Sequence, residues 1–191
     1  MSGVLISISG ASGVGKSAIV KDIFTHLPTQ YSKAVSTTTR SPRAGEVEGI
    51  AYHFVSRVEF YARWDAGKFL ERVEYNGKLY GIERKAVQDV LDKGLNALLI
   101  VEPYGAKQIR AKWRGPLLQL FIRPPSEEVL QERMAKRGDS PESIETRRRI
   151  DSHLFQEHSF PYDAIFTNRR IGATADAIVQ FVFASLETPL Y

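Results

Sequence analysis

The run Gly10-Ala11-Ser12-Gly13-Val14-Gly15-Lys16-Ser17 decides the fold. It fills every required position of the pattern G-x-x-x-x-G-K-[ST], and its neighbours suit that pattern. Val4–Ser9 in front is short, apolar and β-branched, a buried strand. Ala18–Leu27 behind it reads as a helix that stops before Pro28. In such a strand–loop–helix the glycines let backbone N–H groups converge on phosphate oxygens, and the helix N-terminus adds positive potential. Lys16 brings a mobile positive charge to the β and γ phosphates, and the Ser17 hydroxyl is a ligand for Mg²⁺. Gly10, Ala11, Ser12, Gly13, Val14, Gly15, Lys16, Ser17 and Ala18 are therefore assigned to the phosphates of a nucleoside triphosphate, with Ser17 also assigned to the metal.

Further along, short apolar runs alternate with helical patterns. Ala34–Thr38 reads as a second strand. Ser56-Arg57-Val58-Glu59 is a capping box opening a helix that runs to about Ala66, with Gly67 past its end. Phe69–Tyr75 then alternates, and Asn76-Gly77 is the favoured type I′ hairpin turn. A two-residue turn fixes the register, so Tyr75 faces Lys78, Val73 faces Tyr80 and Glu71 faces Ile82. Glu83–Lys93 reads as a helix closed by Gly94, while Ala97–Glu102 and Leu117–Ile122 are strands buried on both faces. Ser126 caps a helix with Gly138 past its end, and Ser140-Pro141 opens another that runs to about Glu157. Ala164–Phe166 is a last strand and Thr174–Leu186 a last helix. Strands alternating with helices imply an α/β fold around a parallel sheet. The segment 34–82 breaks the alternation and reads as an inserted antiparallel subdomain.

At 191 residues the chain fits one domain with small insertions. The absence of cysteine excludes disulfides, thiolate metal sites and a cysteine nucleophile. His53, His153 and His158 show no ligand spacing. Met1-Ser2-Gly3-Val4 lacks a signal-peptide pattern, and runs such as Ala97–Val101 are too short to span a bilayer, so the expectation is a cytoplasmic protein without a membrane partner. A net charge of +4 points to an anionic ligand. No aromatic–basic interleave or basic stripe accompanies it, which argues against nucleic acid.

A P-loop alone leaves kinases, GTPases, ATPases and helicases open. Ser36-Thr37-Thr38-Thr39-Arg40-Ser41-Pro42-Arg43-Ala44-Gly45-Glu46-Val47-Glu48-Gly49, followed by Tyr52-His53-Phe54-Val55-Ser56, resembles the GMP-phosphate-binding stretch of guanylate kinases. The resemblance continues through Tyr80-Gly81, Pro124-Pro125-Ser126, Arg133, Arg137-Gly138, Arg147 and Asn168. The side chains agree with it. Arg40 and Arg43, beside the hydroxyls of Ser36 and Thr38 and the phenol of Tyr52, can grip a dianionic monophosphate with forked donors.

The resemblance implies a P-loop kinase with a parallel core (1–33, 83–125 and 158–191), a monophosphate-binding insert (34–82) and a helical lid (about 126–157). It implies that Ser36, Arg40, Arg43 and Tyr52 hold the acceptor phosphate, with Tyr80 and Gly81 beside them. Arg133, Arg137 and Arg147 would be lid arginines closing over ATP onto the transferred phosphoryl group, with Arg133 and Asn168 flanking the adenine. Lys16, Arg40, Arg133, Arg137 and Arg147 form the expected catalytic set. Arg148 and Arg149 have no family counterpart and read as a solvated face.

Base recognition in the family uses a Glu for the N1–H and 2-amino edge, a Ser or Thr for O6, and a following Asp-x-Asp strand. Glu71 matches the first, but Ile82 replaces the hydroxyl and Ile100-Val101-Glu102 replaces the acidic pair, leaving Glu102 as its one carboxylate. A buried O6 without its donor loses about 1–3 kcal/mol. The resemblance therefore implies ATP-dependent phosphorylation of a nucleoside monophosphate, GMP or dGMP by default. Other acceptors stay open: a different or modified monophosphate, such as a modified or deoxy purine or a thymine-like pyrimidine, or ribose 1,5-bisphosphate as in relatives with an apolar residue after the Tyr-Gly pair. A non-catalytic binding module is a further class, though such modules usually lack the P-loop lysine that this chain keeps. Monomer and homo-oligomer are equally open.

Overall fold

The computed structural model describes residues 3–27, 29–75, 77–146 and 162–187. Pro28, Asn76, Arg147, Arg148, Arg149, His153 and His158, together with the lid helix beyond 146, lie outside the described residues.

A five-stranded parallel sheet runs in the order β2-β7-β1-β8-β9. Its strands are β1 (Leu5–Gly10), β2 (Tyr31–Lys33), β7 (Asn96–Ile100), β8 (Leu117–Arg123) and β9 (Ala164–Thr167). β1 is central and wholly buried, Ser7 and Ser9 included. The loop leaving its C-terminal end enters α1 (Lys16–His26). In an open α/β sheet that end of a strand is where ligands bind. A second sheet runs β4-β3-β6-β5, from β3 (Thr37–Thr38), β4 (His53–Phe54), β5 (Phe69–Tyr75) and β6 (Lys78–Glu83). It is antiparallel along β3–β6–β5, with the short β4 added parallel to β3.

The helices are α1, α2 (Arg57–Asp65), α3 (Arg84–Leu91), α4 (Pro103–Lys112), α5 (Glu127–Lys136), α6 (141–146) and α7 (Ile171–Glu187). Their starts follow local chemistry. The Ser56, Ser126 and Ser140 hydroxyls accept from the N–H groups of Glu59, Val129 and Ser143 at 3.1, 3.4 and 3.2 Å. The reciprocal half of the Ser56 capping box is replaced, because Glu59 pairs with Arg63 at 2.5 Å. Glycine at positive φ follows α2 (Gly67, 67°) and α3 (Gly94, 73°).

The hairpin register is the expected one: Tyr75 opposite Lys78, Val73 opposite Tyr80, Glu71 opposite Ile82, with a bulge between Phe69 and Glu71. One expectation needs correction. Ala34–Thr38 is not one strand: Lys33 ends β2 against Leu98, whereas Thr37 pairs with Gly81 and His53 in the other sheet. Extended propensity marks both pieces without saying which sheet takes each. Helix α4 adds an element where none was expected, between Glu102 and Leu117.

By backbone contacts the chain divides into two units. One is chiefly Thr29–Leu99 with Tyr104–Leu117; the other is chiefly Ile6–Pro28, Ile100–Pro103 and the chain from Leu118 on. The first has a hydrophobic cluster of Phe60, Phe69 and Leu79, with Val55 and Trp64 against it. In the second, α1 packs on α7 through buried faces that include Ile19 and Ile23 on one helix and Ala175, Ile178 and Val182 on the other.

Candidate active site

The glycine-rich loop Gly10–Ser17 lies in the second unit. Gly13 and Gly15 have φ of 83° and 105°, values that side chains other than glycine rarely adopt. Space is equally short, since a Cβ on Gly13 would stand 2.7 Å from Met134 Cγ and one on Gly15 2.6 Å from Asn168 Nδ2. Gly15, the N-cap of α1, has no side chain with which to cap the first turn. Lys16 folds over the loop, donating to the Gly10 and Ala11 carbonyls at 2.5 and 3.1 Å, with Glu102 Oε1 at 3.9 Å. Glu102 sits two residues past the end of β7. Ser17 and Ala18 are exposed on the first turn.

The loop is braced from behind. Asn168, fully buried just past β9, donates to the Val14 carbonyl at 2.7 Å and accepts from Thr174 Oγ1 at 3.1 Å. Arg133 on α5 donates to the Asn168 carbonyl at 2.9 Å and to the Val14 carbonyl at 3.4 Å. Both residues thus grip the peptide between the second and third loop glycines. Arg137 ends α5 and pairs with Asp139.

The first unit holds the other candidates. The Arg40 guanidinium donates to Glu46 Oε1 and to the Ser41 carbonyl, each at 2.7 Å. It lies 5.3 and 5.8 Å from the Tyr52 and Phe54 ring centres, and Tyr80 stands edge-on to Tyr52 at 6.0 Å. The other Glu46 oxygen accepts from the Arg43 N–H at 2.7 Å, leaving the Arg43 side chain exposed. Ser36 holds β4 through its carbonyl, which accepts from the His53 N–H at 2.8 Å. Deeper in, Glu71 and Ile82 face each other across the hairpin, 5% and 1% exposed. Gly81 is small for a reason: a Cβ there would stand 2.7 Å from Phe69 Cδ1 and 2.8 Å from the Glu71 carbonyl oxygen.

The P-loop motif is complete, Lys16 and Ser17 included. A sequence model of the family described as "Guanylate kinase" matches residues 2–185. The chain belongs to the guanylate kinase family. It is a nucleoside monophosphate kinase. The guanylate kinase of Alkalilimnicola ehrlichii is 39% identical over 186 residues, covering 97% of this chain and 90% of its own. That of Anaplasma phagocytophilum is 36% identical over 184 residues, with coverages of 95% and 87%. The crystal structure of guanylate kinase from Anaplasma phagocytophilum matches at a TM-score of 0.72 and 31% identity, over 98% of this chain and 88% of that one. A sugar kinase from Janibacter sp. HTCC2649 shares the fold, at a TM-score of 0.50 and 17% identity.

Within this guanylate kinase fold, two contributors escaped the residue-by-residue reading. Glu46 ties the Arg40 side chain to the Arg43 backbone, and Lys33 lies 5.4 Å from the Tyr52 ring centre, on the ring that also carries Arg40. Glu46 stood inside the quoted motif without a role; Lys33, alone at the end of a short strand, gave no signal. The Arg40 hydrogen bond, then the Arg43 N–H, holds the Glu46 carboxyl down to about 2 from its ordinary 4.5. A depressed carboxyl contributes stability that is present above its unfolded value and lost as pH falls through its folded value. The window is therefore pH 4.5 down to about 2, well outside the neutral range. Side-chain carboxyl NMR is expected to give a Glu46 midpoint near 2; a midpoint at 4.5 would show that the pair does not form in solution.

Proposed function

We propose that this chain transfers the γ-phosphoryl group of ATP to GMP, giving ADP and GDP. The observation that carries this is a complete P-loop, Lys16 and Ser17 included, in a chain of the guanylate kinase family. Gly10, Ala11, Ser12, Gly13, Val14, Gly15, Lys16, Ser17 and Ala18 cradle the ATP phosphates. Arg133 and Asn168 serve the ATP site partly by fixing Val14, whose carbonyl both of them hold. Ser36, Arg40, Arg43, Tyr52 and Tyr80 take the acceptor phosphate, and Glu71 takes the base edge beside Gly81 and Ile82. Segment 34–82 is the monophosphate-binding insert and 126–157 the lid, bringing Arg133, Arg137 and Arg147 to the migrating charge. Phosphoryl transfer asks the protein for positioning and charge neutralisation, which these groups supply.

The residues also fit Mg²⁺. The Ser17 hydroxyl is exposed at the cradle, and Glu102 offers a half-exposed carboxylate 3.9 Å from Lys16. Among the described residues no cluster of three or more His, Cys, Asp or Glu could cage a metal. Mg²⁺ needs none, binding through one or two protein oxygens with substrate phosphates and water. When bound it neutralises charge on the β and γ oxygens. No described helix is long and apolar enough to cross a membrane, and a cytoplasmic location suits a nucleotide kinase.

Ile82 is the feature that favours a second acceptor. It is buried and faces Glu71, so this wall of the pocket gives O6 no side-chain donor. A modified or deoxy monophosphate whose edge tolerates an apolar neighbour is the runner-up. Ile82→Thr is expected to raise kcat/KM for GMP by about five- to a hundredfold, one hydrogen bond restored to a buried carbonyl. The test is a coupled assay with GMP, dGMP, AMP and dTMP on wild type and variant. High GMP efficiency in wild type with no gain in the variant would mean that O6 is satisfied by another group.

A further inference from the structure

We infer that helix α4 holds the base-reading carboxylate of Glu71 in place, with Gly105 and Gln108 as specificity-determining positioning residues that touch no substrate. The inference rests on the guanylate kinase reading of Glu71 and goes beyond it to the residues behind that side chain.

Gly105 lies inside a ten-residue helix without a positive φ. Its backbone therefore gives no reason for glycine, the poorest helix former after proline. Space does. A Cβ on Gly105 would stand 2.9 Å from Glu71 Oε2 and 3.4 and 3.5 Å from its Cδ and Cγ. The carboxylate occupies the volume that an alanine methyl would fill, at the first turn of α4 where the helix dipole favours an anion.

The backbone of β5 is gripped from the same helix face. β5 is an edge strand, so the outward N–H and C=O groups of Arg72 have no neighbouring strand. Gln108 replaces one: its Oε1 accepts from Arg72 N at 3.2 Å and its Nε2 donates to Arg72 O at 2.9 Å. Lys112 donates to the Phe69 carbonyl at 3.3 Å, across the bulge. Gly105, Gln108 and Lys112 stand at i, i+3 and i+7, one helix face. They meet the bulged segment Phe69–Arg72 at both ends and at the carboxylate between them. The bulge turns Glu71, α4 fixes where the turn leaves it, and Gly105 leaves room for the result.

The experiment is steady-state kinetics on Gly105→Ala, on Gln108→Met (similar in shape, without the amide) and on each in a Glu71→Ala background. Gly105→Ala is expected to raise KM for GMP by about ten- to a hundredfold through displacement of Glu71. KM for ATP should stay within about twofold, and the melting temperature should not fall, because alanine is the better helix former. Gln108→Met should shift GMP in the same direction, and neither substitution should matter once Glu71 is alanine. That last result separates positioning from a general structural role. Unchanged GMP kinetics, equal losses for both substrates, or an effect that survives in the Glu71→Ala background would overturn the inference. If Gly105→Ala does not fold, the Gln108→Met arm decides by the same criteria. Absence of GMP turnover in wild type would defeat the proposed function instead, and the inference would then be decided by a crystal structure of Gly105→Ala. A Glu71 side chain and β5 backbone in their original places would sink it, and a displaced carboxylate would support it.

Discussion

Lys16→Ala is expected to lower kcat by at least about 10²–10³-fold while the protein stays folded. The Lys16 ammonium is the only mobile cation within the loop motif itself, and it rests on the Gly10 and Ala11 carbonyls at 2.5 and 3.1 Å, beside Glu102 at 3.9 Å. Nothing else in the loop carries positive charge to the oxygens whose charge shifts during transfer, so the lost stabilisation falls on the transition state. The fold should survive because the loop has other anchors. Asn168 and Arg133 hold the Val14 carbonyl, and Ile19 N–H still bonds the Gly15 carbonyl at 3.0 Å. Circular dichroism would check the fold and ADP release the rate. A variant keeping more than about a tenth of the wild-type rate would remove Lys16 from the mechanism.

Arg40→Ala carries the next largest effect. KM for the monophosphate should rise by about ten- to 150-fold, matching about 1.5–3 kcal/mol for a charge-assisted contact, with KM for ATP nearly unchanged. Arg40 is preorganised: its side chain is only 14% exposed, boxed by Tyr52 and Phe54 and fixed by Glu46. Its removal would also leave the Glu46 carboxylate without its guanidinium partner beside an incoming dianion. Arg43 is tied through its backbone with an exposed side chain, so Arg43→Ala should act in the same direction more weakly. Lysine at position 40 should rescue little, because a single ammonium cannot replace the guanidinium fork between Glu46 and a phosphate. Equal losses for both substrates would place Arg40 outside the acceptor site.

What was legible before the structure was the chemistry carried by neighbours in sequence. The strand–loop–helix around Gly10–Ser17, the serine caps at 56, 126 and 140, and the Glu71–Ile82 register each follow from a spacing of a few residues. What was not legible depends on distant partners. The resemblance names Asn168, but its bond to the Val14 carbonyl, 154 positions away, follows from no local pattern. The assignment of Lys33 and Thr37 to different sheets is decided by Leu98 and Gly81, not by the extended propensity of Ala34–Thr38. Helix α4 was hidden because Gly105 serves Glu71, a residue in another element, against the preference of its own helix.

The central claim is that a nucleoside monophosphate accepts phosphate from ATP on this P-loop. It is tested most directly by following ADP and GDP together in a reaction of purified protein, ATP and Mg²⁺, with and without GMP. The expected result is ADP and GDP in equal amounts when GMP is present, and almost no ADP without it. ADP released at the same rate in the absence of any monophosphate, with no GDP formed in its presence, would contradict the account.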